Sequence, residues 1–133
     1  MGLGTEAPTE TLHVQGNVYV SANLELGSSR AYKDNIQPIE ATEALAVLKG
    51  LQPVKYNYKS DPAEESLGFI AEEVPDLVAT NSRKSVSPMD FVAVLARVVQ
   101  EQQKTIEGLS EKIVALEKNL NAHPRDVLYG NNL

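Results

Sequence analysis

The spacing of apolar residues changes along this chain, and each spacing predicts a different element. Between Leu12 and Leu26 apolar and polar residues alternate, with turn-prone breaks at Gly16-Asn17 and Ala22-Asn23, so short strands are predicted. So few strands are marginal in water, and we expect them to pair with other copies of the chain. Residues 1–10 have no apolar period and predict an irregular connector. The apolar positions of the alternating segment are Leu12, Val14, Val18, Val20, Leu24 and Leu26.

The middle of the chain combines helical and strand spacings. Apolar residues at helical spacing predict an amphipathic helix over 41–49, with Gly50 as the residue that follows its end. Residues 54–58 alternate and predict a half-buried strand, whereas 60–66, which include Asp61-Pro62, predict a solvated turn. An α+β interpretation also includes an apolar strand at 67–70, one helical turn at 71–74, and hairpin arms at 77–79 and 84–86.

A long helix is predicted from Ser87, a suitable N-cap before Pro88 at the first helical position and Asp90 in the first turn. Its apolar residues recur at alternating spacings of three and four over about four heptads, which is typical of a coiled coil. An amphipathic helix packed on its own domain is the alternative, but the repeat is longer than so small a domain requires. The predicted seam has a positions Val92, Val99, Ile106, Ile113 and Leu120, and d positions Leu95, Gln102, Leu109 and Leu116.

The seam by itself leaves the number of helices in the coiled coil open. Val or Ile at a with Leu at d is typical of parallel dimers, and a buried Gln102 mainly fixes the register. His123-Pro124 is expected to end the helix, and no function is predicted for the residues that follow.

Composition limits what the 133 residues, about one domain, can do. Apolar residues make up 42% of the chain but aromatic residues only 5%, so we expect a modest aliphatic core and compensating oligomerisation. The 18 acidic residues outnumber 12 Lys and Arg, and the net charge of −6 opposes binding to nucleic acids or membrane surfaces. The absence of cysteine excludes disulfides and thiolate metal sites. No hydrophobic signal segment follows Met1, and no apolar run approaches the ~18 residues of a membrane span.

The residue types suggest covalent chemistry only in the stretch 27–36. A serine hydroxyl needs a base within hydrogen-bond reach, and a lysine can serve where burial or neighbouring cations populate its neutral amine. Ser28 and Lys33 are five residues apart, so a loop that doubles back would bring them together. Gly27 would permit a strained geometry that exposes its carbonyl to Ser28, and attack there would cut the chain between 27 and 28. Backbone amides or Asn35 are the alternatives for supporting the oxyanion.

Other groups of polar residues have simpler interpretations. Glu64-Glu65 and Glu72-Glu73 are typical of solvated acidic turns, and Arg83-Lys84 is too small a basic cluster for nucleic acid. His13 and His123 lack the spacing of metal ligands, and the glycines form no phosphate-binding loop. We therefore expect no metal, no cofactor and no small-molecule substrate.

The order of motifs over residues 28–120 is specific. It runs from 28–36 and Pro38-Ile39 through 48–58 and 68–74 to the closing coiled coil. This order resembles the intramolecular chaperone auto-processing domain that ends endosialidase tailspikes and many other phage tail fibres. The segment 2–18 also resembles a repeat of tail-fibre stalks. The chain departs from the auto-processing domain at one position: many members of that family place Asp directly after the serine, where this chain has Ser29.

The resemblance implies a homotrimer that registers the upstream fibre of the same polypeptide, in a virion tail fibre or virus-like assembly made in the host cytoplasm. It divides the chain into the end of a β-rich stalk at 1–27, an auto-processing α+β domain at 28–87, a trimerising coiled-coil helix at 88–121 and a tail at 122–133. It implies that Ser28 is the nucleophile, Lys33 the general base and Gly27-Ser28 the cleaved bond of a serine peptidase that acts once, on itself.

Two other functions remain compatible with the residues. The same fold could assemble the fibre as a structural trimerisation module whose bond between 27 and 28 stays intact. A membrane-tethered transcription factor released by such a domain is the third interpretation, which the acidic charge and the lack of a span oppose.

Overall fold

A computed structural model describes residues 1–123. Contacts divide the chain into two units, Met1–Gln37 and one that begins at Pro38. The described residues form two small two-stranded sheets and a long C-terminal helix, so the predicted α+β class is confirmed. The fold is therefore described one unit at a time.

The first unit contains a parallel pair of very short strands. Strand β1, Gly2–Leu3, pairs with β2, His13–Val14. The backbone NH of Gln15 donates to the Leu3 carbonyl over 2.8 Å and continues the pairing. Gly4 has a φ of +74°, and a Cβ there would lie 2.6 Å from the Gln15 carbonyl oxygen, so this close approach requires glycine. The irregular connector predicted for 1–10 is thus wrong at β1.

The strands predicted after Val14 do not form within the single chain. No strand is assigned between β2 and residue 37, and the alternating apolar side chains are exposed, Val18 by 67% and Leu24 by 74%. The backbone groups of a strand need a neighbouring strand to bond to, and in this unit only β1 and β2 have one. The prediction is confirmed at His13–Val14 alone, and pairing with other copies stays a prediction.

Helix α1, Ala41–Gly50, opens the second unit close to the predicted bounds. The bond that caps its start was not predicted: the backbone NH of Glu40 donates to the Glu43 carboxylate over 3.1 Å. Gly50 is the last helical residue and Leu51 caps the helix, so Gly50 does not follow the end as expected. The structural reason for glycine is proximity, because a Cβ on Gly50 would lie 2.9 Å from Cγ of Pro75.

A β-hairpin follows, made of β3, Val54–Tyr58, and β4, Asp61–Gly68. The strand prediction for 54–58 is confirmed, but the solvated turn predicted for 60–66 is wrong, because most of it is strand β4. Nearly all of β4 is exposed, so no apolar period revealed it. The strand ends at Gly68, earlier than the apolar strand expected over 67–70.

The connection from the hairpin to the last helix is mostly irregular. Residues 71–74 form a turn instead of helix, and a short 3-10 helix occupies Asp76–Val78, where a hairpin arm was predicted. The predicted hairpin is reduced to a single antiparallel bridge between Ala79 and Val86.

Helix α2, Pro88–Ala122, begins where the sequence predicted. It packs on α1, and Phe91 stacks on Phe69 with ring centroids 4.7 Å apart. Arg97 fixes the entry to α1, because its Nε donates to the Ile39 carbonyl over 3.0 Å. The predicted tail, 122–133, falls almost entirely outside the described residues. The core consists of Ala44, Val47, Val74, Val78, Phe91, Val94 and Val98.

Candidate functional site

The side chains of Ser28 and Lys33 meet within the first unit. Lys33 Nζ donates a hydrogen bond to Ser28 Oγ over 2.5 Å. The chain doubles back between them through a 3-10 turn at Arg30–Tyr32. A serine hydroxyl and a lysine amine at this distance satisfy the geometric requirement for a nucleophile and its base.

Hydrogen bonds at both ends of the Arg30–Tyr32 turn reverse the chain. Ser29 precedes the turn with φ −61° and ψ 145°, and its Oγ accepts from the backbone NH of Ala31 over 3.2 Å. The Ser29 carbonyl accepts from Tyr32, and the Arg30 carbonyl accepts from Lys33, each over 3.1 Å. Lys33 then returns to an extended conformation, with its side chain at Ser28.

Gly27 lies against the ring of Tyr32 and does not adopt the strained backbone expected from the sequence. Its φ lies outside the left-handed region that favours glycine. A Cβ on Gly27 would lie 3.6 Å from Cε2 of Tyr32, which is an ordinary van der Waals contact. The bond between 27 and 28 is therefore held next to an aromatic ring without requiring glycine.

Asn35 is close to the pair in sequence and has a left-handed backbone, with a φ of 52°. Asparagine tolerates this conformation better than most residues. Within the described residues, no hydrogen bond connects its side chain to Gly27. Its role in supporting the oxyanion, like that of the backbone amides, stays a prediction.

All residues from 27 to 36 are exposed to solvent in the single chain. A lysine acts as a base only through its neutral amine, a form that burial or a neighbouring cation populates. Water also competes for every hydrogen bond of an exposed site. A reactive site here would therefore benefit from being covered.

Helix α2 carries two apolar faces. Phe91, Val94 and Val98 face the core of the second unit, and none is more than 6% exposed. The predicted seam lies on a different face, where the apolar side chains are exposed by 43% at Leu95 to 62% at Leu116. Gln102 is exposed as well. The domain core thus leaves the heptad face uncovered, and the coiled coil itself stays a prediction.

The remaining polar candidates have structural contacts. Glu65 pairs with Lys55 across the hairpin over 3.1 Å, and Glu72-Glu73 is exposed. The Arg83 guanidinium donates to the Val74 carbonyl over 3.3 Å and pairs with Asp76. Arg83 therefore holds the connection before α2.

Two further features are absent from residues 1–123. No group of three or more His, Cys, Asp or Glu side chains in that range could hold a metal ion. None of its helices is both long and apolar enough to cross a membrane.

A comparison with protein families identifies the domain that begins at the serine. Residues 28–81 match the family model described as chaperone of endosialidase. The resemblance seen in the sequence is therefore confirmed. The chaperone-of-endosialidase match starts at Ser28 and covers the site, α1 and the hairpin; it ends before α2 and the predicted seam. The family's name also classes it among the peptidases.

Sequence reasoning missed two features of the turn at Arg30–Tyr32. The Ser29 cap was identifiable in principle, because serine directly before a helical turn is a preferred N-cap. The contact between Tyr32 and Gly27 had no sequence signal, since it depends on how the turn folds back.

Proposed function

We propose that this chain is a C-terminal intramolecular chaperone that trimerises, registers an upstream tail fibre or tailspike, and releases itself by cleavage between Gly27 and Ser28. The observation that carries the proposal is the 2.5 Å hydrogen bond between Lys33 Nζ and Ser28 Oγ at the first residue of the matched domain. We assign Ser28 as nucleophile and Lys33 as general base.

The cleavage we propose needs no reactant besides water. Neutral Lys33 accepts the hydroxyl proton as Ser28 Oγ bonds to the Gly27 carbonyl carbon, and backbone amides or Asn35 support the resulting oxyanion. The C–N bond then breaks, the proton passes to the freed Ser28 amine, and an ester joins Gly27 to Ser28 Oγ. Hydrolysis of the ester leaves a carboxylate on Gly27 and restores the serine hydroxyl.

The chaperone role is supported by the family match and by the uncovered heptad face of α2. Three copies joined through 88–121 would hold three chains in one register, and residues 1–27 would end the stalk. The alternating residues from Val18 to Leu26, exposed in one chain, are suited to pairing with other copies. The partner we propose is therefore the fibre of the same polypeptide, in a virion assembled in the host cytoplasm.

A second candidate is a structural trimerisation module with the same fold and an intact chain. The observation that favours it is the exposure of both Ser28 and Lys33, because water competes for the hydrogen bond between them. The two candidates differ only in whether the bond between 27 and 28 breaks.

Intact mass and denaturing electrophoresis, followed over hours after synthesis, distinguish these candidates. We expect the wild type to yield residues 28–133 as a separate fragment, and Ser28→Ala and Lys33→Ala to remain whole. Ser21→Ala is the matched control, since Ser21 is an exposed serine in the same unit, and it should be cut like the wild type. A wild type that stays whole would refute cleavage and leave the structural module.

A further inference from the structure

We infer that Ser29 is a positioning residue: its hydroxyl holds the turn that brings Lys33 back to Ser28. The inference rests on the proposed function, because its consequence for the reaction requires that Lys33 act on Ser28. The hydrogen bond of the Ser29 side chain goes to the backbone NH of Ala31, not to the lysine amine.

Packing does not hold the Arg30–Tyr32 turn, because none of its residues is buried. Its conformation therefore depends on hydrogen bonds. The bonds to the Ser29 and Arg30 carbonyls join backbone groups that nearly every residue type carries. The bond from Ala31 to Ser29 Oγ, at 3.2 Å, is the one that depends on the residue type at position 29.

This cap lies between the two reactive residues. Ser29 follows the nucleophile directly, and the turn that it caps ends at Tyr32, immediately before the base. Alanine at an N-cap disfavours the capped conformation by about fivefold. When the turn opens, Lys33 leaves Ser28, so the rate of cleavage should follow the population of the closed turn and fall by at most the same fivefold factor.

The test compares cleavage rates of the full chain in four forms. Ser29→Ala should be slower than wild type, by at most about fivefold, which is the usual effect of losing a cap on the equilibrium. Ser29→Asn should cleave within about twofold of wild type, because asparagine caps as well as serine and adds no charge beside the lysine. Ser21→Ala, an exposed serine outside the turn, should be unchanged. Circular dichroism and sedimentation should be the same for all four, which separates positioning from a loss of folding.

Two results would overturn the inference: Ser29→Ala cleaving at the wild-type rate, or Ser29→Asn being as slow as Ser29→Ala. A wild type that is never cut would instead refute the proposed function. Exchange of the Tyr32 amide, which donates to the Ser29 carbonyl and is freed only when the turn opens, is measured by NMR in the uncut Lys33→Ala background and then judges the cap independently of cleavage. Adding Ser29→Ala should speed this exchange by about fivefold, and equal rates would show that Ser29 does not hold the turn.

Discussion

At the scale of single residues, the contact between Lys33 and Ser28 determines what each side chain in the turn contributes. The 2.5 Å hydrogen bond makes the lysine a suitable proton acceptor from the hydroxyl, provided that its amine is neutral. Arginine would retain the charge and the hydrogen-bond donors but cannot lose its proton in a protein. The two roles of Lys33, base and hydrogen-bond donor, can therefore be separated by one substitution.

Lys33→Arg is expected to abolish cleavage, with a loss of at least about 100-fold in rate, the usual contribution of a general base. Folding and oligomer mass should stay as in the wild type, because charge and donors are retained. Intact mass spectrometry over a time course measures the rate. Cleavage of Lys33→Arg near the wild-type rate would contradict the assignment of Lys33 as base.

Gly27→Ala is expected to cleave within about twofold of wild type, because it changes a surface residue without strain. The added Cβ would lie 3.6 Å from the Tyr32 ring, an ordinary contact, and Gly27 has no left-handed φ to lose. Intact mass spectrometry over a time course also measures the cleavage rate of Gly27→Ala. A loss of about tenfold or more would show that the reactive conformation requires glycine after all.

At the scale of elements, the two helical glycines of the second unit have opposite surroundings. Gly50 ends α1 against Pro75, whose Cγ would be 2.9 Å from an added Cβ. Gly108 lies within α2, and nothing lies within 4 Å of the Cβ that it lacks. The close approach of Pro75 therefore explains the glycine in α1, whereas no neighbouring atom explains the glycine in α2.

These surroundings predict opposite effects on stability. Gly108→Ala should stabilise the chain by about 0.5–1 kcal/mol, because alanine loses less backbone entropy in a helix interior. Gly50→Ala should destabilise it by about 1 kcal/mol or more, because the new Cβ forces Pro75 to move. Thermal unfolding at one fixed protein concentration measures both changes. Equal effects of the two substitutions would contradict the close approach at Gly50.

The elements also show how far the sequence can predict a fold of this kind. Strong periods located α1, β3 and α2 to within a few residues, because apolar residues recur in them at helix or strand spacing. The same reasoning failed for β4, whose side chains are nearly all exposed and whose pairing comes from its neighbour β3. Sequence reasoning proposed that Ser28 and Lys33 could meet, but it did not find the Ser29 cap that closes the turn.

At the scale of the whole molecule, one chain leaves much apolar surface uncovered in each unit. Val18, Leu24 and Leu26 are exposed in the first, and the heptad face of α2 is exposed in the second. Such continuous apolar surface on a small acidic chain is typical of association. Assembly would also be the natural way to cover the exposed residues 27–36.

Ile113→Asn is expected to weaken assembly and lower the average mass in sedimentation, because a polar group at an a position of the predicted seam costs stability. Val114→Asn is the matched control: Val114 neighbours it on α2 and is similarly exposed, 60% against 56%, but lies off the seam. The control should keep the wild-type oligomer mass and cleavage rate, whereas Ile113→Asn should also cleave more slowly if assembly covers the site. Equal masses for the two variants would refute the seam.

The sequence by itself predicted the elements with a clear apolar period, the heptad pattern of α2, and the Ser28 and Lys33 types at a spacing that allows contact. Local periods and residue chemistry are sufficient for these, because they depend on neighbours along the chain. Only the tertiary structure decided that β4 pairs with β3, that Gly50 approaches Pro75 and that Lys33 bonds to Ser28 through a capped turn. Those features depend on groups brought together by chain reversal, which no period in the sequence encodes.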